Sequence, residues 1–254
     1  MQFRIDLNAD LGESFGAYSY GADEELIPLV SSANIACGWH GGDPSVMRRA
    51  ASLAVKYGTT VGAHPGYPDL AGFGRRAMAL SPKEVTDALL YQIGALDGIG
   101  RAEGTRVSYV NPHGALYNSA SKDEMLEKAI VEAVKLYDPS LVLLCPEGSE
   151  TASAAKAAGL QIAREFFADR AYLSDGGLVP RSMVNAVITD ESAVCERVLK
   201  AVMEKTVLSV DCKPLKLDFD SVCLHGDNPK AVQLANRIRS ALTEAGVSIE
   251  PFTE

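Results

Sequence analysis

The sequence predicts an α/β fold in which one parallel sheet closes, or nearly closes, into a barrel, and three observations predict it. Short apolar, β-branched runs alternate with longer stretches of helical period. The runs are almost continuously apolar, as strands covered on both faces must be. The alternation continues for about seven or eight units with no linker or break in composition. The whole chain has 254 residues, and one such barrel needs about 250. Residues 1–254 are therefore expected to form a single domain, with a doubly wound open sheet as the alternative architecture.

The strand candidates are Phe3–Asn8, Ala33–Cys37, Thr59–Ala63, Val107–Val110, Leu141–Cys145, Gln161–Phe166 and Val222–Leu224, with Val247–Glu250 as a final one. Between them the helical period is explicit. Leu126, Ala129, Ile130, Ala133, Val134 and Tyr137 form one apolar stripe, and Ala231, Leu234, Ala235, Ile238, Leu242 and Ala245 repeat it. Helix starts are marked by capping boxes at Ser81/Glu84 and Ser121/Glu124, and by cap-plus-proline pairs at Asp43-Pro44 and Asn228-Pro229. Residues 207–218 read as an excursion, a hairpin before the last core strand.

A net charge of −9 with no cluster of Lys and Arg excludes a phosphate-rich partner such as nucleic acid or an anionic membrane. The N-terminus reads as a strand and lacks the basic end and apolar run of a signal peptide, and no apolar run is long enough to span a bilayer. The expected compartment is the cytoplasm. The five cysteines include no CxxC pair, which points to reduced, mostly buried thiols.

In a parallel α/β fold ligands bind beyond the carboxyl ends of the strands. All four histidines, His40, His64, His113 and His225, come within a few residues of a predicted strand end, where chance placement would scatter some onto helix surfaces. Asp10 and Glu13 follow the first strand, Asp43 neighbours His40, Asp69 lies beyond His64, Asp169 follows Phe166-Phe167, and Asp227 neighbours His225. Arg75, Arg76, Arg170 and Arg181 occupy the same class of loop, and these loops are glycine-rich. Each residue also has a plainer reading: Asp43 and Asp227 as helix caps, Glu13 as a solvated loop charge, Arg75 and Arg76 as balance for an acidic chain. Together the groups supply acids and bases near neutral pH and cationic clamps for a carboxylate or phosphate, which suits hydrolysis of an amide or ester. Three histidines and an aspartate could equally ligate a divalent metal, although no HExxH helix or local histidine pair is present. No phosphate-binding loop, dinucleotide fingerprint, kinase signature or GxSxG elbow occurs, so the chain shows no ATP site of its own.

At these motifs the sequence resembles the LamB/YcsF family. The matching stretches are Asp6–Gly16, Asn34–Pro44, Gly62–Asp69 continuing into Gly72–Arg76, Pro112–Asn118, Phe167–Tyr172, Leu178–Arg181 and His225–Asp227, so the resemblance spans nearly the whole chain. It implies a (β/α)7-type, TIM-like barrel of the glycoside hydrolase/deacetylase type. It also implies ATP-dependent opening of 5-oxo-L-proline to L-glutamate, carried out with two partner subunits, B and C (PxpB and PxpC), through which the ATP is expected to be bound and used. On this reading Asp10, His40, His64, His113 and Asp169 are the expected catalytic groups. Glu13, Asp43, Arg75, Arg76, Asn118, Arg170, Arg181, His225 and Asp227 are expected to bind substrate, with the arginines holding its carboxylate or a phosphate. A divalent metal stays open. The alternatives are a metal-dependent deacetylase or amidohydrolase of a small amide or sugar, and a non-catalytic lactam-binding subunit. One position departs from the family pattern: Asn111 stands before Pro112-His113-Gly114, where lysine is usual.

Overall fold

The structure, a computed structural model, describes residues 3–120, 123–181, 183–226 and 230–253. The first half of the chain forms β1 (Phe3–Leu11), the single-turn α1 (Asp23–Leu26), β2 (Ser32–Ala36), α2 (Pro44–Tyr57), β3 (Thr60–His64), α3 (Pro82–Glu103), β4 (Val107–Val110) and α4 (Gly114–Ala120). The second half forms α5 (Glu124–Tyr137), β5 (Val142–Pro146), α6 (Glu150–Ala157), β6 (Gln161–Phe167), α7 (Glu191–Glu204), β7 (Thr206–Leu208), β8 (Pro214–Lys216), β9 (Ser221–Leu224), α8 (Ala231–Glu244) and β10 (Val247–Ile249).

Strands β1 to β6 and β9 pair in parallel, and β9 returns to β1, Asp6 opposite Ser221 and Ala9 opposite Leu224, so seven strands close into a (β/α)7, TIM-like barrel. Closure settles the architecture against the open sheet. Strand β10 pairs with the first residues of β1, outside the ring, and β7 and β8 form the expected antiparallel hairpin. No helix among the described residues is long and apolar enough to cross a membrane.

Local chemistry sets the elements. Ser81 and Glu84 form the predicted capping box at α3, and Asp43 accepts from the amides of Ser45 and Val46 to start α2. At α5 the cap is Asp123, which accepts from Met125 and Leu126; the predicted cap Ser121 lies outside the described residues, as do Asn228 and Pro229 before α8. The α5 and α8 stripes are buried as expected, except that Tyr137 is half-buried and Ala245 is the exposed C-cap of α8. β1 runs three residues further than predicted because Asp10 and Leu11 still pair with Asn34 and Ile35 of β2. Cys37, Cys145 and Cys223 are buried thiols as expected, whereas Cys212 sits exposed in the turn of the hairpin, with φ 58°.

The barrel interior is unusually polar, and β1 shows why. Ile5, Leu7, Ala9 and Leu11 belong to the apolar core, while the alternate residues Asp6, Asn8 and Asp10 share the opposite face of the strand. Low in the barrel Asp6 accepts hydrogen bonds from the hydroxyls of Ser31, Ser32 and Ser221, and burial lifts its pKa to about 6. Asn8 donates to Ser221 (2.6 Å), Asn34 donates to Asn8 (2.7 Å) and Asp10 (2.9 Å), and the Tyr109 hydroxyl donates to Asn34 (2.6 Å). This ladder carries order from the floor up to Asp10 at the rim. It requires Gly62: a Cβ there would collide with ring carbons of Tyr109, and the β3–β4 register shifts at this point. Phe252 packs edge-on against Tyr109, centroids 4.9 Å apart.

Candidate active site

The carboxyl ends of the strands bring five predicted residues together. Asp10 lies in β1, Glu13 just beyond it, His40 beyond β2, His64 ends β3 and His113 follows β4. Glu13 and the three histidines are almost wholly buried, and Asp10 keeps a little exposure. His64 and His113 meet at 2.9 Å through Nε2 and Nδ1, and Asp10 Oδ1 lies 3.4 Å from the same His64 nitrogen. The His40 and His113 rings stack face to face with centroids 3.7 Å apart. Glu13 Oε1 is 3.4 Å from His40 Nε2 and 3.8 Å from His113 Nδ1.

Backbone carbonyls aim the rings. His64 donates from Nδ1 to the carbonyl of Asn111 (2.6 Å), and His113 donates from Nε2 to the carbonyl of Phe73 (2.9 Å). The Phe73 turn fits because Gly74 adopts φ +62° and has no Cβ, which would otherwise stand 2.7 Å from His40 Cβ and 2.8 Å from His113 Cδ2.

The electrostatics divide the histidines. Burial pulls the His64 imidazole down, but the Asp10 carboxylate outweighs it and holds the pKa above the usual value; in return, and against its own burial, Asp10 is held well below the carboxylate range by His64. Burial, reinforced by the charge on His64, depresses His113 to about 3 and keeps His40 well below normal. Asp10 thus raises the proton affinity of His64 while burial lowers that of the two neighbouring imidazoles, a split that sets His64 apart from His40 and His113.

A second pair stands across the rim. His225 Nδ1 lies 2.7 Å from Asp169 Oδ1; His225 is raised by this carboxylate despite burial, and Asp169 is lowered by the imidazole despite burial. Asp10 links the two groups, because one of its oxygens also clusters with Cys223 and His225.

The remaining predicted residues divide by what they touch. The Asp43 carboxylate is used by the cap of α2 and by the amide of Gly16. Arg76 is tied to the buried carboxylate of Asp69, which also accepts from Gly72. Arg170 is buried and donates to the carbonyls of Val179 and Ala186; burial and the nearby Arg181 bring its pKa down to about 10. Asn118 donates to the carbonyl of Gly114 from an exposed position. Arg75 is exposed and lies over the Phe73 ring, 4.9 Å to its centroid, and Arg181 is exposed with its charge felt by Asp169 and His225. Arg75 and Arg181 thus leave exposed cationic groups beside the two histidine groups. Asp227 lies outside the described residues.

Sequence reasoning missed three groups that shape the site. Glu165 of β6 is buried in the barrel, accepting from the Tyr117 hydroxyl (2.9 Å) and the Asn111 amide (3.1 Å). Burial, then the negative charge of Asp10, lift its pKa to about 7. The signal was an acid in an apolar strand, on the face shared by Ala163 and Phe167. Tyr117 stood within the matching stretch Pro112–Asn118 with no role of its own. Arg197 of α7 donates to the carbonyls of Phe167 (2.9 Å), Ala168 (2.6 Å) and Arg170 (2.8 Å) and lies over the Phe166 ring, so it pins the loop that carries Asp169. Two surface cavities, about 550 and 470 Å³, are lined instead by strand starts, the first by Thr59–Val61 and Ser108 and the second by Arg4–Asp6 and Gln161–Arg164. They lie away from this chemistry.

Comparison with known proteins agrees with the fold. The chain is 52% identical over 246 residues, 97% of each chain, to a protein of Syntrophobacter fumaroxidans named as the A subunit of 5-oxoprolinase. The crystal structure of the lactam utilization protein from Thermus thermophilus superposes with a TM-score of 0.94 at 48% identity, covering 98% of this chain and all of that one. A family 4 carbohydrate esterase from Streptomyces lividans, 13% identical, shares the barrel fold at a TM-score of 0.54, covering 99% of this chain and 93% of its own. Residues 5–254 match the model of the LamB/YcsF family, and the chain belongs to that family.

Proposed function

We propose that the chain is the PxpA component of an ATP-dependent 5-oxoprolinase, which converts 5-oxo-L-proline, ATP and two waters to L-glutamate, ADP and phosphate together with the partner subunits PxpB and PxpC. The observation that carries this reading is the convergence of three histidines and two carboxylates on one rim, in a chain matched along its length by proteins named as the A subunit of 5-oxoprolinase.

The energetics call for ATP, since an amide is a poor electrophile and a five-membered lactam is stable relative to its open form. Phosphoryl transfer to the lactam oxygen makes the ring carbon electrophilic. Water then adds to that carbon while a neutral imidazole, His113 or His40, takes its proton. The C–N bond breaks as the ring nitrogen receives a proton from His64, whose proton affinity Asp10 raises. This leaves a γ-acyl phosphate, which a second water cleaves to carboxylate and phosphate. Arg75 and Arg181 are placed to hold the anionic groups. The chain lacks a phosphate-cradling loop, so phosphoryl transfer is assigned to a partner docked over the rim, and the activated lactam passes without meeting bulk water.

The test is phosphate release dependent on 5-oxoproline, measured for the chain alone and after mixing with both partners. The isolated chain should neither hydrolyse ATP nor open the lactam, and the mixture should do both. Asp10→Asn in the mixture should lower turnover by roughly 100-fold or more. Turnover by the chain alone, or full activity of Asp10→Asn, would overturn the assignment.

A further inference from the structure

The atoms at the centre of the histidine cluster are almost all acceptors. His64 donates its Nδ1 hydrogen to the Asn111 carbonyl and His113 donates its Nε2 hydrogen to the Phe73 carbonyl, and a carbonyl oxygen can only accept. In their neutral forms both rings therefore turn a lone pair inward, His64 through Nε2 and His113 through Nδ1, and these two atoms stand 2.9 Å apart. Asp10 Oδ1 and Glu13 Oε1 add carboxylate oxygens at 3.4 Å from His64 Nε2 and 3.8 Å from His113 Nδ1. His40 is fully buried, and among the described residues neither of its ring nitrogens has a hydrogen-bond partner, although its Nε2 is 3.4 Å from Glu13 Oε1.

Such an arrangement needs a positive charge at its centre. A proton on His64 Nε2 can bridge to His113 or to Asp10, but one proton cannot also satisfy the buried His40 ring. A divalent ion can. The donor atoms of Glu13, His40, His64 and His113 all lie within 4.8 Å of one another. Ligand atoms about 2.1 Å from a tetrahedral ion are roughly 3.4 Å apart, close to the observed separations. The outer contacts of His64 and His113 have the form that metal-binding histidines use, each of these two rings donating its distal N–H to a backbone carbonyl that fixes the tautomer and points the other nitrogen inward.

We propose that Glu13, His40, His64 and His113 form a binding site for one divalent transition-metal ion. Three imidazoles favour zinc, cobalt or nickel over magnesium or calcium. A bound ion would replace the proton on His64 and supply Lewis acidity beside Asp10, so the proton transfers assigned to the histidines above describe the metal-free chain. The inference does not depend on the lactam reading, because it is tested on the isolated chain without substrate.

The experiment uses the full 254-residue chain, purified without a histidine tag, stripped with a chelator and dialysed against zinc or cobalt at micromolar free concentration. Elemental analysis should find one metal per chain, and cobalt should give visible ligand-field bands with the intensity of a four- or five-coordinate site. Magnesium should not compete. His64→Gln and His113→Gln should each weaken zinc binding by roughly 10-fold or more, while His225→Gln, whose ring pairs with Asp169, should keep the stoichiometry. Circular dichroism checks that each variant is folded, and the wild-type stoichiometry is decisive even where a variant is not. Absence of metal uptake by the folded wild-type chain would overturn the proposal and leave a proton-bridged histidine pair. Uptake that survives the combined His64→Gln/His113→Gln change would overturn it as well, by placing the ion elsewhere.

Discussion

Replacing Glu165 by glutamine removes a charge from beneath the rim and keeps the hydrogen bonds around it, because glutamine can accept from the Asn111 amide and donate to the Tyr117 oxygen. In the folded chain burial, then Asp10, raise the pKa of this carboxyl from 4.5 to about 7. A group raised on folding contributes stability that is fully present below its unfolded pKa and is lost as pH climbs through the folded value. At about 1.36 kcal/mol per pH unit, wild type should lose roughly 3 kcal/mol from this group across that window, of which about 2.5 kcal/mol falls between pH 5 and pH 8. Glu165→Gln has no such loss. The variant should therefore gain about 2.5 kcal/mol relative to wild type on going from pH 5 to pH 8, whatever their difference at pH 5. Urea unfolding of both metal-free proteins at the two pH values measures this, and the change is large beside the error of extrapolation for a shared slope. In thermal melts it corresponds to about 5–10 °C for a chain of this size. A difference that stays constant within about 0.5 kcal/mol would refute the reasoning. It would mean that Tyr117, Asn111 and Cys223 hold the carboxylate ionised against its burial.

Two further outcomes follow from the same contacts. Asn111→Lys places an ammonium where the Asn111 amide now meets Glu165, so it should lower the Glu165 pKa and flatten the pH-dependent loss seen in wild type; an unchanged slope in the same urea series would show that residue 111 does not govern the carboxyl. Arg197→Met strips three carbonyls of a charged donor and should cost about 3 kcal/mol or more in stability while lowering turnover of the reconstituted enzyme, since the loop carrying Asp169 loses its anchor; a cost under about 0.5 kcal/mol in unfolding would show that the loop holds its place by other contacts.

The sequence by itself determined the alternation of strands and helices, the Ser81/Glu84 box and the hairpin, read at residues 207–218 and found at 206–216, because these depend on periodicity and on neighbours a few residues away. It also located the rim, since histidines placed at strand ends must share one end of a parallel barrel. Partnerships across the barrel were settled only by closure. Ring closure sets Ser221 against Asp6 and brings Glu165 within reach of Asn111 and Tyr117, pairs separated by 215, 54 and 48 positions. Periodicity reports which face of a strand is buried, and it is blind to what stands opposite. For that reason Glu165 passed as one acid in an apolar strand and Arg197 as one more helix cation. Asp43 and Arg76, equally plausible as ligands in sequence, are occupied by the cap of α2 and by Asp69. The inward lone pairs of His64 and His113 are likewise a tertiary product, fixed by the carbonyls of Asn111 and Phe73, 47 and 40 positions away, that only the folded loops deliver.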